Sequence, residues 1–346
     1  MKFVMGKKIY FFDFLNSITQ ENKTAILTHN DIDGIASAIF IEEILSSKNL
    51  KKSFIDFLVY KKDMYSEKIQ MLKDKGITRI ILTDLNENSD LEGFKRLNNE
   101  FEIFMIDHHP IMEEVKDYKN ILKTKSESKE GECASQIVYE LGKEVIDEEK
   151  YKWLICSAII ADYVYQKKEN LEFIQKFYPK TIEEKIMESV PGKITITIGN
   201  AIIYFQGKLH EVYDLVKKGN LEELKKYENI IEGEIQKTIK EFHQNAEYYP
   251  DKNLYFYFSE PKFNIGSIVS SILSNEDENK IIILSTPKED MIKISARNQS
   301  GKIDLDKFLK KGIQGLENAV AGGHAKASGA SFMKKDLDTF KKNILK

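Results

Sequence analysis

Apolar strands that run straight into aspartate and histidine constrain this chain more than anything else in it. Thr24–His29 is a continuous apolar, β-branched run, and it leads into His29-Asn30-Asp31-Ile32-Asp33-Gly34. A second run, Arg79–Thr83, ends in Thr83-Asp84, and a third, 102–106, ends in Asp107-His108-His109-Pro110. Between them the periodicity predicts helices over 34–45, 64–73 and 89–98, with a further strand at 53–59. Continuous apolar strands separated by amphipathic helices specify an α/β fold with a doubly wound parallel sheet. Such a sheet binds ligands outside the carboxyl ends of its strands. Three strands therefore deliver His and Asp to one edge.

Each of these residues has an ordinary reading. A single Asp after a strand is usually a turn residue or the N-cap of the next helix, and Asp84 alone would be read that way. The tetrapeptide Asp31-Ile32-Asp33-Gly34 alone would be a turn. His210 and His243, standing singly, read as surface residues. The convergence changes the balance: four of the six histidines fall in His29, His108, His109 and the later glycine-rich segment at His324. Carboxylates and imidazoles without a thiolate suit Mn, Mg, Zn or Fe(II) rather than a structural cysteine–zinc site. Six or seven such groups exceed what one ion takes. Two ions roughly 3.5–4 Å apart can share a carboxylate and activate water for attack on phosphorus. They would also relieve the repulsion among clustered aspartates.

The rest of the chain reads as helical over 133–188. Residues 193–206 are apolar and β-branched, which predicts a hairpin turning at Gly199-Asn200. Helices follow at 210–218 and 221–247, the second resembling a long surface linker. A second α/β unit starts near Asn253, with strands at 254–258, 281–284 and 291–296, a helix at 265–273, and a glycine-rich loop at 321–331. The expected domains are 1–190, a connecting segment 191–247, and 248–346. No internal repeat occurs. The aromatic run Tyr255-Phe256-Tyr257-Phe258 reads as strand core ahead of a base-stacking surface.

At 346 residues, with 42% hydrophobic and 31% charged, the composition is that of an ordinary globular protein. A net charge of −3 argues against a protein that grips long duplex DNA by its backbone. Short substrates, or a local basic surface, fit better. The two cysteines, Cys133 and Cys156, lie in apolar helical stretches and read as reduced, buried thiols. The N-terminal residues show no signal-peptide pattern, and no run approaches the ~20 apolar residues of a membrane span. The expectation is a cytoplasmic protein without a membrane partner, and a homodimer is left open.

With these residues in view, the sequence resembles the DHH phosphoesterase superfamily, whose name is the tripeptide Asp107-His108-His109. The matching motifs are His29-x-Asp31-x-Asp33-Gly34, Asp84, Asp107-His108-His109, and Ala161-Asp162-Tyr163 after the apolar helix. Only the resemblance makes Asp162 a ligand, since it otherwise reads as a helix-end residue. It implies two divalent metals, Mn²⁺ first and Mg²⁺ second. His29, Asp31 and Asp84 would hold one, and Asp33, Asp84, His108 and Asp162 the other, with Asp84 bridging. Asp107 would support the site or approach a metal, and His109 would contact the scissile phosphate.

The C-terminal part resembles the companion DHHA1 domain. Its motif is Ala321-Gly322-Gly323-His324-Ala325-Lys326-Ala327-Ser328-Gly329, preceded by Ile294-Ser295-Ala296-Arg297. The resemblance makes Arg297, Gly322, Gly323, His324 and Lys326 the substrate-binding residues. Backbone N–H groups at the glycines would cradle a phosphate, and Arg297 would clamp one. Two positions depart from the pattern. The small-phosphate branches place the first His four residues before the first Asp, where this chain has Leu27; His29, two before Asp31, looks like the RecJ-type nuclease branch. Ala321 stands where a third glycine is common. The resemblance thus implies a RecJ-like exonuclease or oligonucleotidase acting on single-stranded nucleic acid. The alternatives are hydrolysis of small nucleotides (3′,5′-bisphosphates, cyclic dinucleotides, RNA dimers) and a catalytically silent replication-associated scaffold. Such scaffolds lack motif ligands, whereas this chain has a candidate at every position.

Overall fold

The computed structural model describes residues 1–126 and 129–346. Its contacts divide the chain into two compact units, Met1–Lys225 and Lys226–Lys346.

The first unit opens with helix α1 (Lys8–Ser17) and then alternates strands and helices: β1 (Thr24–His29), α2 (Ile32–Ser47), β2 (Lys52–Leu58), α3 (Ser66–Asp74), β3 (Arg79–Thr83), α4 (Leu91–Glu100), β4 (Glu102–Asp107) and β5 (Ile121–Lys123). The strands form one parallel sheet in the order β2-β1-β3-β4-β5. The chain steps outward from β1 to β2, then returns past β1 to β3, so the strand order reverses between β1 and β3. Both faces are covered, which is why the strands read as unbroken apolar runs. Ala25, Leu27, Ile80, Leu82, Ile103 and Met105 pack with Ile69, Leu72, Phe94 and Leu97 of α3 and α4. On the other face α1 sets Phe11 against Phe104, with ring centroids 5.3 Å apart.

Helices α5 (Ala134–Gly142), α6 (Glu148–Ala161), α7 (Lys168–Phe177), α8 (Val190–Phe205) and α9 (Leu209–Lys217) complete the unit. The expected hairpin at 193–206 is instead α8. Ser189 caps it, its hydroxyl accepting from Gly192 N at 3.2 Å, and Pro191 sits in the first turn. Thr195, Ile198 and Ala201 are buried, at helical rather than strand spacing. Thr195 donates to the carbonyls of Pro191 and Ser157. Packing of this stripe overrides the β-propensity of Ile-Thr-Ile-Thr-Ile.

The long helix α10 (Leu221–Asn245) leads into the second unit: β6 (Glu247–Tyr249), β7 (Leu254–Phe258), α11 (Gly266–Glu276), β8 (Ile281–Lys288), β9 (Met291–Arg297), α12 (Leu305–Gly312), β10 (Val320–His324), β11 (Ala327–Met333) and α13 (Leu337–Leu345). The sheet order is β10-β11-β9-β8-β7-β6, parallel only between β7 and β8. Phe256, Ile283, Ile294, Phe332 and Phe340 centre its core. Phe256 is core, Tyr255 and Tyr257 lie half-buried on the other face against Phe242 of α10, and Phe258 at the strand end is exposed. The expected glycine-rich loop is a β-hairpin, with Gly322 opposite Gly329 and the turn at Ala325-Lys326. Among the described residues, no helix is long and apolar enough to cross a membrane. Cys133 and Cys156 are free and buried.

Candidate metal centre

The carboxyl ends of β1, β3 and β4 bring the predicted residues of the first unit together at the reversal between β1 and β3, the place where such sheets take ligands. After β1 the chain turns at once into α2, and Asp31 caps that helix, Oδ1 accepting from Gly34 N at 2.9 Å. Glycine is required at 34 because a Cβ would lie 2.2 Å from the His29 carbonyl oxygen. Thr83 donates to Thr28 Oγ1, which donates to Gly34 O, both at 2.9 Å and buried, so the ends of β1 and β3 are pinned. Asp84 adopts a left-handed backbone (φ 54°), uncommon for a residue with a side chain and tolerated best by Asp and Asn. Its N–H donates to Ile106 O at 3.0 Å, holding it beside β4.

The ligand atoms fall into three overlapping groups, each spanning no more than 4.8 Å: His29, Asp31 and Asp84; Asp33, His108 and Asp162; and Asp84, Asp107, His108 and His109. His29 Nδ1 donates to Asp31 Oδ2 at 2.7 Å and lies 3.6 Å from Asp84 Oδ2. His108 Nε2 lies 3.5 Å from Asp84 Oδ1 and 3.4 Å from Asp162 Oδ2. Asp84 is the residue common to both sides. Asp33 has a second duty: its two oxygens accept from Ala134 N and Ser135 N at 2.8 and 2.9 Å, capping α5. Each oxygen keeps a second lone pair.

These residues fit a pair of divalent cations. The donors are carboxylate oxygens and imidazole nitrogens, the set that suits Mn²⁺ or Mg²⁺ sites. Asp84 Oδ2 and Asp162 Oδ2 are buried without a hydrogen-bond partner. Buried charged oxygens left that way are costly, and a bound cation removes the cost.

The protein's own groups register the same crowding. Burial, then repulsion from Asp31 and Asp33, pushes Asp84 well above the usual carboxylate range. Burial raises Asp162 to about 8, with His108 opposing and Asp33 adding. Burial alone would raise Asp31, yet its bond with His29 brings it down to about 2. Burial alone would lower His29, yet Asp31 and Asp84 lift it to about 10. Protons thus gather where cations would otherwise balance the charge.

Beside this cluster, His109 Nδ1 donates to Asp107 Oδ1 at 2.7 Å. Burial alone would raise Asp107, but Lys123 and then His109 hold it well below the carboxylate range. Sequence reasoning missed three residues here. Tyr60, just past β2, donates to Asp84 O at 3.0 Å and lies 3.3 Å from His109 Nε2; its ring centroid is 4.4 Å from that of His29. The strand-end rule that found Asp84 also covers Tyr60, had residues other than His and Asp been sought. Glu87 and Lys123 are fully buried and paired at 2.7 Å, and Lys123 also reaches Asp107 Oδ2 at 2.9 Å. They carry no motif, and β5 is too short to stand out.

In the second unit, Arg297 ends β9 and donates to Ser267 Oγ at 2.8 Å. It is in register with Ala327, at the hairpin turn where His324 and Lys326 are exposed. Gly323 has φ 150°, and a Cβ there would lie 2.5 Å from Ala327 O.

A parallel sheet carrying a carboxylate–imidazole cluster at its reversal, followed by a smaller mixed-sheet unit, defines a class of two-domain α/β proteins built around a candidate metal centre. Within that class the chain belongs to the DHH family: the family's N-terminal domain model matches residues 23–166, and the DHHA1 domain model matches residues 253–346. Members of this family are metal-dependent phosphoesterases. A comparison with curated protein sequences gives no match. Among solved structures, the chain is similar to exonuclease RecJ bound to manganese, at 14% identity and TM-score 0.72, covering 97% of this chain and 92% of that one. It is similar to RecJ in complex with Mn²⁺ from Thermus thermophilus, at 14% identity and TM-score 0.70, covering 98% of this chain but only 54% of that longer protein. It is also similar to CDC45 from Entamoeba histolytica, at 11% identity and TM-score 0.61, covering 98% and 97%. At these identities the likeness is one of fold.

Proposed function

We propose that this chain is a RecJ-like phosphodiesterase that holds two divalent cations, Mn²⁺ by preference, and removes nucleotides from the ends of single-stranded nucleic acid or short oligonucleotides. The observation that carries the reading is Asp84: buried, strained, with an unpartnered oxygen, and shared by two ligand groups. His29, Asp31 and Asp84 would hold one cation; Asp33, Asp84, His108 and Asp162 would hold the other. When bound, the cations supply the positive charge that polarises a phosphoryl group and acidifies water. The protein's own part is to place and protonate. With Nδ1 committed to Asp107, His109 would turn Nε2, 3.3 Å from the Tyr60 hydroxyl, toward the phosphate, and as an imidazolium it would hold there a proton for the leaving oxygen. Arg297, oriented by Ser267, and the exposed His324 and Lys326 would grip a second phosphate, with backbone N–H groups at Gly322 and Gly323 assisting. The complete ligand set weighs against a catalytically silent scaffold.

The test is a Mn²⁺-dependent assay on end-labelled DNA and RNA ladders, beside 3′,5′-bisphosphates and cyclic dinucleotides. Stepwise shortening of long strands is expected. Turnover confined to dinucleotides or bisphosphates would move the substrate to small nucleotides, and no turnover with bound Mn²⁺ would end the enzymatic reading. Arg297→Ala should raise KM roughly 10- to 100-fold, the loss of a charge-assisted clamp, while metal stoichiometry stays at that of the parent. Lost metal would remove Arg297 from this role.

A further inference from the structure

Lys123 is, among the described residues, the one lysine whose side chain is fully buried. It ends β5, in register with Asp107 of β4, and so stands at the same carboxyl edge as the metal centre. Burying an ammonium is expensive, and a well-packed apolar side chain after Ile121 and Leu122 would serve the core at least as well. The contacts of Lys123 point elsewhere. Its Nζ donates to Glu87 Oε2 at 2.7 Å and reaches Asp107 Oδ2 at 2.9 Å. It also meets the carbonyl oxygens of His109 and Pro110, both at 3.3 Å. Glu87 returns to the same loop, Oε1 accepting from Met112 N at 3.3 Å. Every partner of the Lys123 ammonium therefore belongs to, or braces, the segment that carries His109. Asp107 in turn gives Oδ2 to Lys123 and Oδ1 to His109 Nδ1, with the His109 backbone N–H also on Oδ2 at 3.2 Å.

We propose that Lys123 is a positioning residue for His109: through Asp107 it fixes the ring orientation and the Nδ1–H tautomer that leave Nε2 facing the reaction. The inference rests on the phosphodiesterase reading only for the use made of His109; the orientation itself belongs to the metal-free protein. Lys123 Nζ bonds to none of the side chains assigned to the two cations, its partners being Glu87, Asp107 and the carbonyls of His109 and Pro110, so it acts by turning a carboxylate rather than by binding. A carboxylate behind an imidazole needs its own anchor to hold one rotamer, and outer partners of this type commonly matter 10- to 100-fold for activity.

The experiment uses the full chain with Lys123→Met combined with Glu87→Gln, which removes the lysine without stranding both carboxylates. Long-range ¹H–¹⁵N spectra at about pH 8.5, where an ordinary imidazole is neutral, report the His109 tautomer in the metal-free protein. The parent should show Nδ1–H, and the double variant a mixture. Its kcat should fall roughly 10- to 100-fold, with KM and Mn²⁺ stoichiometry within threefold of the parent. Glu87→Gln alone should keep the parent tautomer and a kcat within threefold. A folded double variant with the parent tautomer would overturn the proposal. If the double variant does not fold, Lys123→Arg must restore folding and tautomer together; folding with a mixed tautomer, or no folding at all, would reduce Lys123 to a stabilising ion pair. A parent tautomer that behaves as stated in a chain without turnover would instead sink the phosphodiesterase reading alone.

Discussion

Asp84 concentrates the conflict between stability and chemistry in one side chain. Its left-handed backbone, burial and proximity to Asp31 and Asp33 all cost free energy in the metal-free protein. Asparagine has nearly the same shape and accepts the left-handed conformation equally well. Asp84→Asn should therefore leave the fold intact and raise the stability of the chelator-treated protein, on the order of 1 kcal/mol, as loss of a strained site residue commonly does. Turnover should fall at least ~1,000-fold, about 4 kcal/mol of transition-state stabilisation. Denaturant melts with chelator, beside turnover with Mn²⁺, read both numbers. Retained turnover would refute the bridging role, and a large loss of metal-free stability would refute the crowding argument.

At the scale of elements, these ligands were legible because each ends a strand or lies just past one: His29 ends β1 with Asp31 two residues on, Asp84 follows β3, and Asp107 ends β4 with His108 next. Parallel-sheet topology then does the gathering, and one sheet edge needs no long-range inference. Asp162 was different. It ends α6, where a helix-end aspartate is ordinary, and only the motif singled it out. Lys123 and Glu87 were illegible because their meaning lies in mutual burial, which a sequence does not display. Helix α8 was misread because its β-branched run favours a strand locally, while packing against α6 decides otherwise. Helix α9 shows the same tertiary control through charge. Glu42 of α2 accepts from Lys217 of α9 at 2.6 Å and from Lys52 of β2 at 2.8 Å, and Tyr213 donates to it as well. Burial alone would raise the Glu42 carboxyl, but Lys217 and Lys52 bring it below its ordinary 4.5. A lowered folded value means that the stability is present above 4.5 and is lost as the pH falls through the folded value. Glu42→Gln should cost about 2 kcal/mol at pH 7. That gap should close in acid melts below pH 4.5. A gap that stays constant down to pH 3 would mean that shape, not charge, holds α9 to α2.

For the molecule as a whole, each unit has its own sheet and core, so the proposed cation pair and the proposed grip of Arg297 on a second phosphate belong to different units. The proposed cations bind only within Met1–Lys225, and a ligand stabilises only the unit that holds it. The single tryptophan, Trp153, lies in α6 and reports on that unit alone. At Mn²⁺ about 100-fold above the dissociation constant, each site should add about 2.7 kcal/mol. For a unit of this size, one site corresponds to a rise in Tm of about 5–10 °C. Calorimetry should then show two transitions: one that tracks Trp153 fluorescence and climbs with Mn²⁺, and one that stays in place. Asp84→Asn should flatten the first response, and Arg297→Ala should leave it unchanged. Two transitions that climb together would mean that cation binding in the first unit is felt by the second, while a Trp153 transition indifferent to Mn²⁺ would mean that the acidic edge holds no cation at all.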